Sequence, residues 1–255
     1  TGNVEEPRHH WSSDIRKTMD TTRFTQLGRW TGWIRFDGRQ IEFDPATTRG
    51  TKDRSWGIRP LDGGDRRGAP APPARNSLFF LWAPLNFEDM CVHYQLFEDS
   101  LGRSLSSVGA LLPTYDTLDD LPGIEDPAAR HMGSHEHRLQ FEDDSRMVHT
   151  ADLAFVAVDD GTRHEFHLEK ISTFRMKGIG YHHPEWGHGA WKGDLAMASE
   201  SWVMANVDDQ AFENQHCQHL MRATMGDRVG IGVLEQLFVG PYEPYGMEGF
   251  VARNG

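Results

Sequence analysis

Apolar and polar residues alternate over many short segments of this chain, and such a period of two is typical of antiparallel β-strands. Trp30, Ile34 and Phe36 alternate with more polar neighbours, and the dipeptide Asp37-Gly38 that follows favours a two-residue hairpin turn. The same pattern predicts strands at residues 40–43, 78–83, 90–99, 103–112, 135–141, 147–158, 163–176, 191–204 and 229–239. Helix signals are confined to residues 12–19 and 208–215. The sequence therefore predicts an all-β protein built as barrels or sandwiches, whose interiors can hold one small ligand.

The domain organisation is predicted from a change in composition along the chain. Residues 117–133 are rich in Asp, Pro and Gly and show little periodicity, which is typical of an interdomain linker. We therefore expect one β domain at residues 1–120 and another at 121–255. Residues 68–74 are expected to form a stiff, polyproline-like loop. The sequence begins without an initiator methionine, which leaves open that an upstream portion is missing.

Charge and composition exclude several classes of partner. The chain has 26 basic and 38 acidic residues, a net charge of −12, which argues against nucleic acid because phosphate recognition needs an excess of Lys and Arg. No apolar run reaches the roughly 20 residues of a membrane span. Cys91 and Cys217 are far apart and there is no signal peptide, so a cytoplasmic location is expected. A homo-oligomer stays open as an alternative.

The segment from Gly50 to Pro60 places an indole among charged groups, directly after the predicted hairpin. Interpreted as a loop, it predicts that Trp56 lies with Asp53, Arg54 and Arg59 at the rim or floor of a pocket. The alternative is structural: Trp56 closes one end of a sheet, and Asp53 forms an ion pair with Arg54 or Arg59 around it.

His93 lies on a predicted strand that separates two kinds of side chain. Met90, Val92, Tyr94 and Leu96 share one face, which is predicted to be core, whereas Cys91, His93, Gln95 and Phe97 share the other. If the second face lines a lumen, His93 is a candidate general acid or base. If it faces water, His93 is a partly exposed surface residue.

Other histidine and carboxylate groups give weaker hypotheses. His135 and His137 occupy alternate strand positions and so point to the same side, which makes them a candidate metal pair against the alternative of a solvated edge strand. Residues 178–189 contain three histidines and Glu185, for which packing and hydrogen bonding are favoured over zinc. Glu235 lies on an apolar strand face and is predicted to be half of a buried pair rather than a catalytic acid. Nucleotide-binding and common hydrolase motifs are missing from the sequence.

Three segments that follow the hairpin resemble those of the carotenoid 1,2-hydratase (hydroxyneurosporene synthase) and AttH-like group, in particular its uncharacterised bacterial members. In chain order, these segments are residues 50–59, 182–189 and 232–236. The resemblance extends from about residue 30 to the end of the chain. It implies two consecutive lipocalin-like β domains, of which the first is shortened here. It also implies a cofactor-free protein that handles a hydrophobic isoprenoid, steroid or polyketide-like molecule, with hydratase, isomerase or cyclase activity in characterised relatives.

Together these observations give a hypothesis of a lyase-type or isomerase-type enzyme. Asp53 would protonate a carbon–carbon double bond, Trp56 would stabilise the resulting carbocation, and His93 would activate water. The substrate would be contacted by Arg54, Arg59, Trp82, Tyr94 and Phe97. Two alternatives stay open: a non-enzymatic carrier of a hydrophobic molecule, and a metal-dependent enzyme that uses His135 and His137.

Overall fold

The computed structural model describes residues 1–13, 16–59, 77–123 and 125–251, and β-strands are the main regular structure of this part of the chain. Its strands are β1 (Asn3–Glu5), β2 (His9–Ser13), β3 (Arg16–Arg29), β4 (Gly32–Phe36), β5 (Arg39–Phe43), β6 (Arg49–Ile58), β7 (Leu78–Asn86), β8 (Met90–Glu98), β9 (Ser104–Pro113), β10 (Arg130–Phe141), β11 (Val148–Ala157), β12 (Arg163–Arg175), β13 (Cys217–Met225) and β14 (Arg228–Val239). Short 3₁₀ turns occur at Leu118–Asp120, Met176–Ile179, Met204–Asn206, Phe212–Asn214 and Glu243–Tyr245. The all-β class predicted from the alternation is confirmed.

Strands β7 to β14 form a closed antiparallel barrel of eight strands. Each strand pairs with the next one along the chain, and β14 returns to pair with β7, which leaves no free edge. The predicted core face of β8 points inward, since Val92, Tyr94 and Leu96 belong to the buried core of the barrel. Phe79 stacks between Phe238 and Tyr242 at centroid distances of 4.3 and 4.0 Å. Side chains therefore fill this part of the barrel interior.

The strands at the amino-terminal end form an open sheet that lies against the outside of the barrel. The long strand β3 pairs with β6 along one edge and with β1 and β2 along the other. Val4 and Leu27 of this sheet are buried against outward-facing residues of β8 and β9, namely Cys91, Val108, Ala110 and Leu112. The sheet thus covers a part of the barrel wall that would otherwise face water.

The predicted hairpin is confirmed as β4 and β5, which pair only with each other among the described residues. Asp37 and Gly38 form its turn, with φ angles of +49° and +74°, the left-handed conformation that such a two-residue turn requires. Its large apolar side chains are exposed: Trp33, Ile34, Phe36 and Ile41.

Both helix predictions are wrong. Residues 12–19 belong to β2 and β3, apart from residues 14 and 15, which are outside the described part, and residues 208–215 contain only the 3₁₀ turn Phe212–Asn214. Pairing of β3 with three other strands supplies backbone hydrogen bonds that override a weak helix propensity.

The strand predicted at residues 191–204 is also wrong, because that segment is irregular. The place between β12 and β14 is filled instead by β13, which pairs with both of them. Because β13 occupies the position between β12 and β14, residues 191–204 have no place in the barrel. Their apolar side chains Trp191, Leu195 and Met197 are exposed.

The segment predicted as a loop, residues 50–60, is a strand as far as Ile58, because β6 pairs with β3 over its whole length. Pro60 and the predicted polyproline-like loop at residues 68–74 lie outside the described residues.

Of the segment predicted as a linker, residues 117–129 lie between β9 and β10, and residues 130–133 belong to β10 itself. Strands β9 and β10 pair with each other in the barrel. The closed barrel therefore contains strands from both sides of the predicted boundary at residue 120. In the described part of the chain, no helix is long and apolar enough to cross a membrane.

Candidate active site between the sheet and the barrel

His93 lies on the outer wall of the barrel and is completely buried by the amino-terminal sheet. The face of β8 that carries His93 neither lines a lumen nor meets water, the two alternatives that the sequence left open. It is buried in the contact between the barrel wall and the amino-terminal sheet. Burial lowers the pKa of His93 to about 4, although the carboxylate of Glu6 opposes this effect. The imidazole is therefore neutral at physiological pH.

Glu6, in the segment between β1 and β2, supplies the carboxylate next to His93. Its Oε1 lies 3.6 Å from Nε2 of His93, and its Oε2 lies 3.1 Å from Nε2 of His9. The hydroxyl of Thr25 also donates to Glu6 Oε1, at 3.4 Å. Burial alone would raise the pKa of Glu6, but the hydrogen bond with His9 and the positive charge of Arg23 outweigh it and leave the pKa below its ordinary value. Glu6 is therefore ionised in the folded protein.

Arg23 of β3 connects this carboxylate to a second one. Its Nη1 is 3.7 Å from Glu6 Oε2, its Nε is 3.6 Å from Asp53 Oδ1, and its Nη1 donates a hydrogen bond of 3.2 Å to Oε1 of Gln95. We call the group Glu6, His9, Arg23, Asp53, His93 and Gln95 the inter-sheet polar cluster. It joins residues from β2, β3, β6 and β8 and from the segment between β1 and β2.

Asp53 reaches the cluster because β6 alternates its side chains between the barrel and the solvent. Asp53 pairs with Thr25 across β3 and shares the barrel-facing side with it. Burial raises the pKa of Asp53; Arg23 opposes this rise, and the carboxylates of Glu6 and Glu235 add to it. The side chain of Asp53 keeps 41% of its surface exposed, so solvent limits the rise. Asp53 and His93 thus belong to one network, in which Arg23 and Glu6 lie between them.

Arg54 and Trp56 of β6 are separated from this network, whereas the positive charge of Arg59 acts on Asp53 and lowers its pKa. Trp56 and Arg54 lie on the opposite face of the strand, where Trp56 is 49% exposed and its ring lies 5.3 Å from that of Phe24. Arg59, which follows the strand, donates a hydrogen bond of 2.8 Å to the hydroxyl of Ser55. The structure therefore does not place Trp56 beside Asp53 and His93.

The three predicted substrate-binding aromatic residues are divided between the two faces of the barrel wall. Trp82 and Phe97 lie on the outer face, where with Phe80 they form a buried group that we call the outer aromatic patch. Phe80 stacks on Phe97 at 4.5 Å, and Trp11 of the sheet contacts Phe97 edge-on at 6.0 Å. Tyr94 points into the barrel, where its hydroxyl donates to the carbonyl of Glu136 at 3.0 Å. Tyr94 thus faces away from His93, as predicted.

A cleft of about 450 Å³ borders the cluster on one side. It is lined on the sheet side by Glu6 and Pro7 and on the barrel side by Val108 and Met132. Val108 pairs with Gln95 on the neighbouring strand. The cleft therefore ends beside the inter-sheet polar cluster.

Glu235 lies on the same outer wall and is half of a buried pair, as predicted. Its Oε1 is 2.6 Å from Nε2 of His216, and Gln218 donates a hydrogen bond of 2.6 Å to its Oε2. It is the cross-strand partner of Trp82 on the neighbouring strand β7, so it borders the outer aromatic patch.

The remaining histidine groups make contacts of other kinds. His135 packs against the ring of Tyr94 inside the barrel, and His137 lies 2.7 Å from the hydroxyl of Tyr245 and 3.2 Å from Oε2 of Glu98. In the segment 178–189, His183 accepts hydrogen bonds from the backbone of Glu185 and Trp186. Within the described ranges, no group of three or more His, Cys, Asp or Glu side chains is placed to hold a metal ion.

Sequence reasoning missed Glu6, His9 and Arg23, which complete the cluster. A signal for Arg23 was present, because Thr21, Arg23, Thr25 and Leu27 alternate with other residues as in a strand. No comparable signal points to Glu6, whose burial depends on the barrel wall more than 80 residues away in sequence.

Comparison with known proteins places the chain in a family. The sequence matches a family of unknown function, DUF8625, over residues 1–248. The chain belongs to this family. No curated protein matches the sequence. Among solved structures, the chain is similar to the crystal structure of kievitone hydratase from Nectria haematococca, with 12% identity and a TM-score of 0.42. The match covers 86% of this chain and 53% of that one, so the DUF8625 chain spans about half the length of the hydratase structure.

Proposed function

We propose that this DUF8625 protein is an acid–base enzyme of the lyase or isomerase type that adds water to, or relocates, a carbon–carbon double bond of an apolar molecule. The observation that carries this proposal is the pair His93 and Asp53 within one network. Burial lowers the pKa of His93 to about 4 and raises the pKa of Asp53. A histidine with a lowered pKa is neutral and can act as a base, and a carboxyl group with a raised pKa can hold a proton and act as an acid. One site can therefore contain both at the same pH.

His93 takes the role of general base. Its neutral imidazole can accept a proton from water or from a substrate carbon. The ionised carboxylate of Glu6, 3.6 Å from Nε2, then stabilises the imidazolium that forms. His9, in hydrogen-bond contact with Glu6 at 3.1 Å, keeps that carboxylate in position.

Asp53 takes the role of general acid. Its raised pKa favours the protonated form more than an ordinary surface aspartate would, and its partial exposure allows it to regain a proton from solvent. Arg23 lies between Asp53 and Glu6 and fixes the separation of the two carboxylates. We assign no step to Trp56, because its ring lies on the opposite face of β6.

The outer aromatic patch supports an apolar substrate. Its residues Phe80, Trp82 and Phe97 form a largely apolar surface on the same barrel face as His93. Trp82 is the cross-strand partner of Gln95, and Phe97 is the next residue on the same face of β8. Such a surface favours a hydrophobic isoprenoid, steroid or polyketide-like molecule over a sugar or a phosphate ester.

The test is turnover in heavy water. The purified protein is incubated in D₂O with a panel of isoprenoid, steroid and polyketide-like alkenes, and products are analysed by mass spectrometry. We expect deuterium at a carbon atom, with a hydroxyl group where hydration has occurred. His93→Gln and Asp53→Asn should each lower the rate by about 10² to 10⁴, the usual contribution of a positioned acid or base.

The controls separate chemistry from folding. His10→Gln and Asp119→Asn change exposed residues of the same types and should leave the rate unchanged. Thermal melts of all four variants establish that they fold. Recovery of every alkene unaltered, without carbon-bound deuterium, by a protein that binds it would show a carrier instead of an enzyme.

A further inference from the structure

The sheet–barrel contact contains hydrogen-bond donors that no protein acceptor satisfies. Among the described residues, Trp82 Nε1 and Gln95 Nε2 are buried atoms without a hydrogen-bond partner. Arg23 Nε is also buried without a hydrogen bond, and Asp53 Oδ1 lies 3.6 Å from it, beyond hydrogen-bond distance. Trp82 is 5% exposed and Gln95 is 0% exposed, so both side chains are more than nine-tenths buried. Both nitrogens of the fully buried His93 also lack a partner. An unsatisfied buried donor is destabilising, and several of them on one surface call for a ligand.

These donors are gathered around Gln95. Trp82 and Gln95 are direct cross-strand partners of β7 and β8, an arrangement that brings their Cβ atoms within about 5.5 Å. Arg23 reaches the same place from the sheet above, where its Nη1 donates to Gln95 Oε1 at 3.2 Å. His93 is two residues from Gln95 on the same strand face.

The orientation of the Gln95 amide follows from its partner. Arg23 can only donate hydrogen bonds, so the amide must turn its oxygen toward the guanidinium and leave its NH₂ group free. Indole and guanidinium N–H groups are likewise donors only. A molecule that satisfies the Trp82, Gln95 and Arg23 atoms must therefore offer an oxygen that accepts.

We propose that Trp82, Gln95 and Arg23 bind the carbonyl oxygen of an apolar, conjugated enone, and that this is the substrate class of the site. This inference rests on the proposed function. A neutral carbonyl is favoured over a carboxylate because Arg23 is already in contact with Glu6 and Asp53, and Glu235 borders the patch. Another negative charge would meet the carboxylates of Glu6 and Glu235 and only one guanidinium.

The donors would stabilise the charge that forms during hydration of such an enone. Water adds its oxygen to the β-carbon while His93 removes one of its protons. The electron pair of the double bond shifts toward the carbonyl, and the oxygen becomes an enolate oxygen held by the donors. Asp53 then protonates the α-carbon, and the proton on His93 returns to Asp53 through solvent. The net change is the addition of one water molecule.

Benzylideneacetone, an apolar conjugated enone, serves as the probe, and a phenylbutene with the same carbon skeleton but no carbonyl group serves as its control ligand. Binding is measured by calorimetry, and the ultraviolet absorption of the enone is recorded because hydrogen bonding to its carbonyl shifts the band to longer wavelength. We expect the enone to bind about tenfold more tightly than the alkene and to show the red shift when bound.

Two variants remove donors with little change in shape. Trp82→Phe keeps an aromatic ring and loses only the indole N–H, and Gln95→Glu keeps the acceptor for Arg23 but replaces the free NH₂ group by oxygen. Each should weaken enone binding about tenfold and reduce the red shift, without the same effect on the alkene. Trp191→Phe and Gln140→Glu, at exposed positions, are the matched controls and should change neither.

The outcomes distinguish this proposal from the proposed function. Equal binding of enone and alkene, or enone binding that both variants leave intact, would overturn the carbonyl site even if alkenes are turned over, and water would then satisfy the donors. Selective, variant-sensitive enone binding without any turnover would support the carbonyl site and remove the enzymatic function. If one variant fails to fold, the other is used alone: a reduced red shift of the bound enone supports the carbonyl site, and an unchanged red shift overturns it.

Discussion

At the residue scale, His93 and Glu6 show how a hydrophobic-looking interface can hold ionisable groups. The two side chains are fully buried, yet each has a polar neighbour from the opposite layer. Burying a charge without a partner is strongly unfavourable, so the contacts of Glu6 with His9, Arg23 and Thr25 are what allow it to remain ionised there.

The lowered pKa of His93 makes folding stability depend on pH. Unfolded, the imidazole binds a proton below about pH 6.5, but in the native protein only near pH 4. The unfolded state therefore binds more protons between these values, and stability should fall as the pH is lowered through this window and be fully present above it. His219, whose pKa burial also lowers to about 4, acts in the same direction. Each group contributes at most roughly 3 kcal/mol.

Urea unfolding across this pH range measures the effect. His93→Gln should retain the fold and flatten the dependence, because it removes one of the histidines whose pKa burial lowers, the others being His135, His164 and His219. The variant His10→Gln, at an exposed position of β2, should leave it unchanged. A slope identical in the His93 variant and the wild type would show that His93 is not the group that titrates.

At the element scale, the position of β6 against β3 determines whether Asp53 meets Arg23. Gly57 lies in this pairing with φ of +128°, and a Cβ atom there would be 2.1 Å from the backbone oxygen of Asp20. Gly57→Ala must therefore separate the two strands or change the backbone. An unstrained Gly to Ala change stabilises a protein by up to about 1 kcal/mol, whereas a strained one destabilises it by more than that. We therefore expect Gly57→Ala to destabilise the protein by more than about 1 kcal/mol and to lower turnover because Asp53 shifts.

Gly28→Ala is the matched control for this prediction. Gly28 belongs to the same pair of strands, but a Cβ atom there would meet nothing within 4 Å. Thermal melts and the deuterium assay compare the two variants. Equal stability of both variants would contradict the assigned role of Gly57.

The elements that the sequence predicted well are those whose signals are local. Asp37-Gly38 specifies its own turn, and the alternation of Val92, Tyr94 and Leu96 identifies the core face of β8 without reference to other strands. Strand β13 was missed because the alternation of its apolar and polar residues is interrupted by His219 on one face and Leu220 on the other, and its identity depends on pairing with β12 and β14.

At the scale of the whole molecule, the candidate site could be predicted only in part. His93 and Asp53 were identified because their residue types stand out on their strands. Their connection through Arg23, and the presence of Glu6, arise from packing a sheet onto the outside of the barrel. Stacked aromatic rings such as Phe79 and Phe238 occupy the described barrel core, where a ligand-filled lumen was expected. The candidate site therefore lies outside the barrel, at its contact with the sheet.

This arrangement predicts how stability is distributed over the molecule. The sheet cannot leave the barrel without exposing Val4 and Leu27 and without separating Glu6 from His93. Opening it should therefore cost nearly as much as unfolding the barrel wall beneath it. The hairpin of β4 and β5 has exposed side chains at all positions except the half-buried Phe43, and it has no strand partner outside itself in the described structure, so it should open independently.

Native-state hydrogen exchange read by mass spectrometry tests this distribution. Amides of β3 that pair with β6 should show protection close to that of β8, and amides of β4 and β5 should exchange much faster. Leu27→Ala should lower the protection of β3 by about 2 to 5 kcal/mol, the usual cost of truncating a buried leucine, whereas Leu118→Ala, at an exposed position, should have no effect. If β3 exchanges as fast as the hairpin in the wild-type protein, the sheet opens freely from the barrel. A site that depends on both layers would then be formed only transiently.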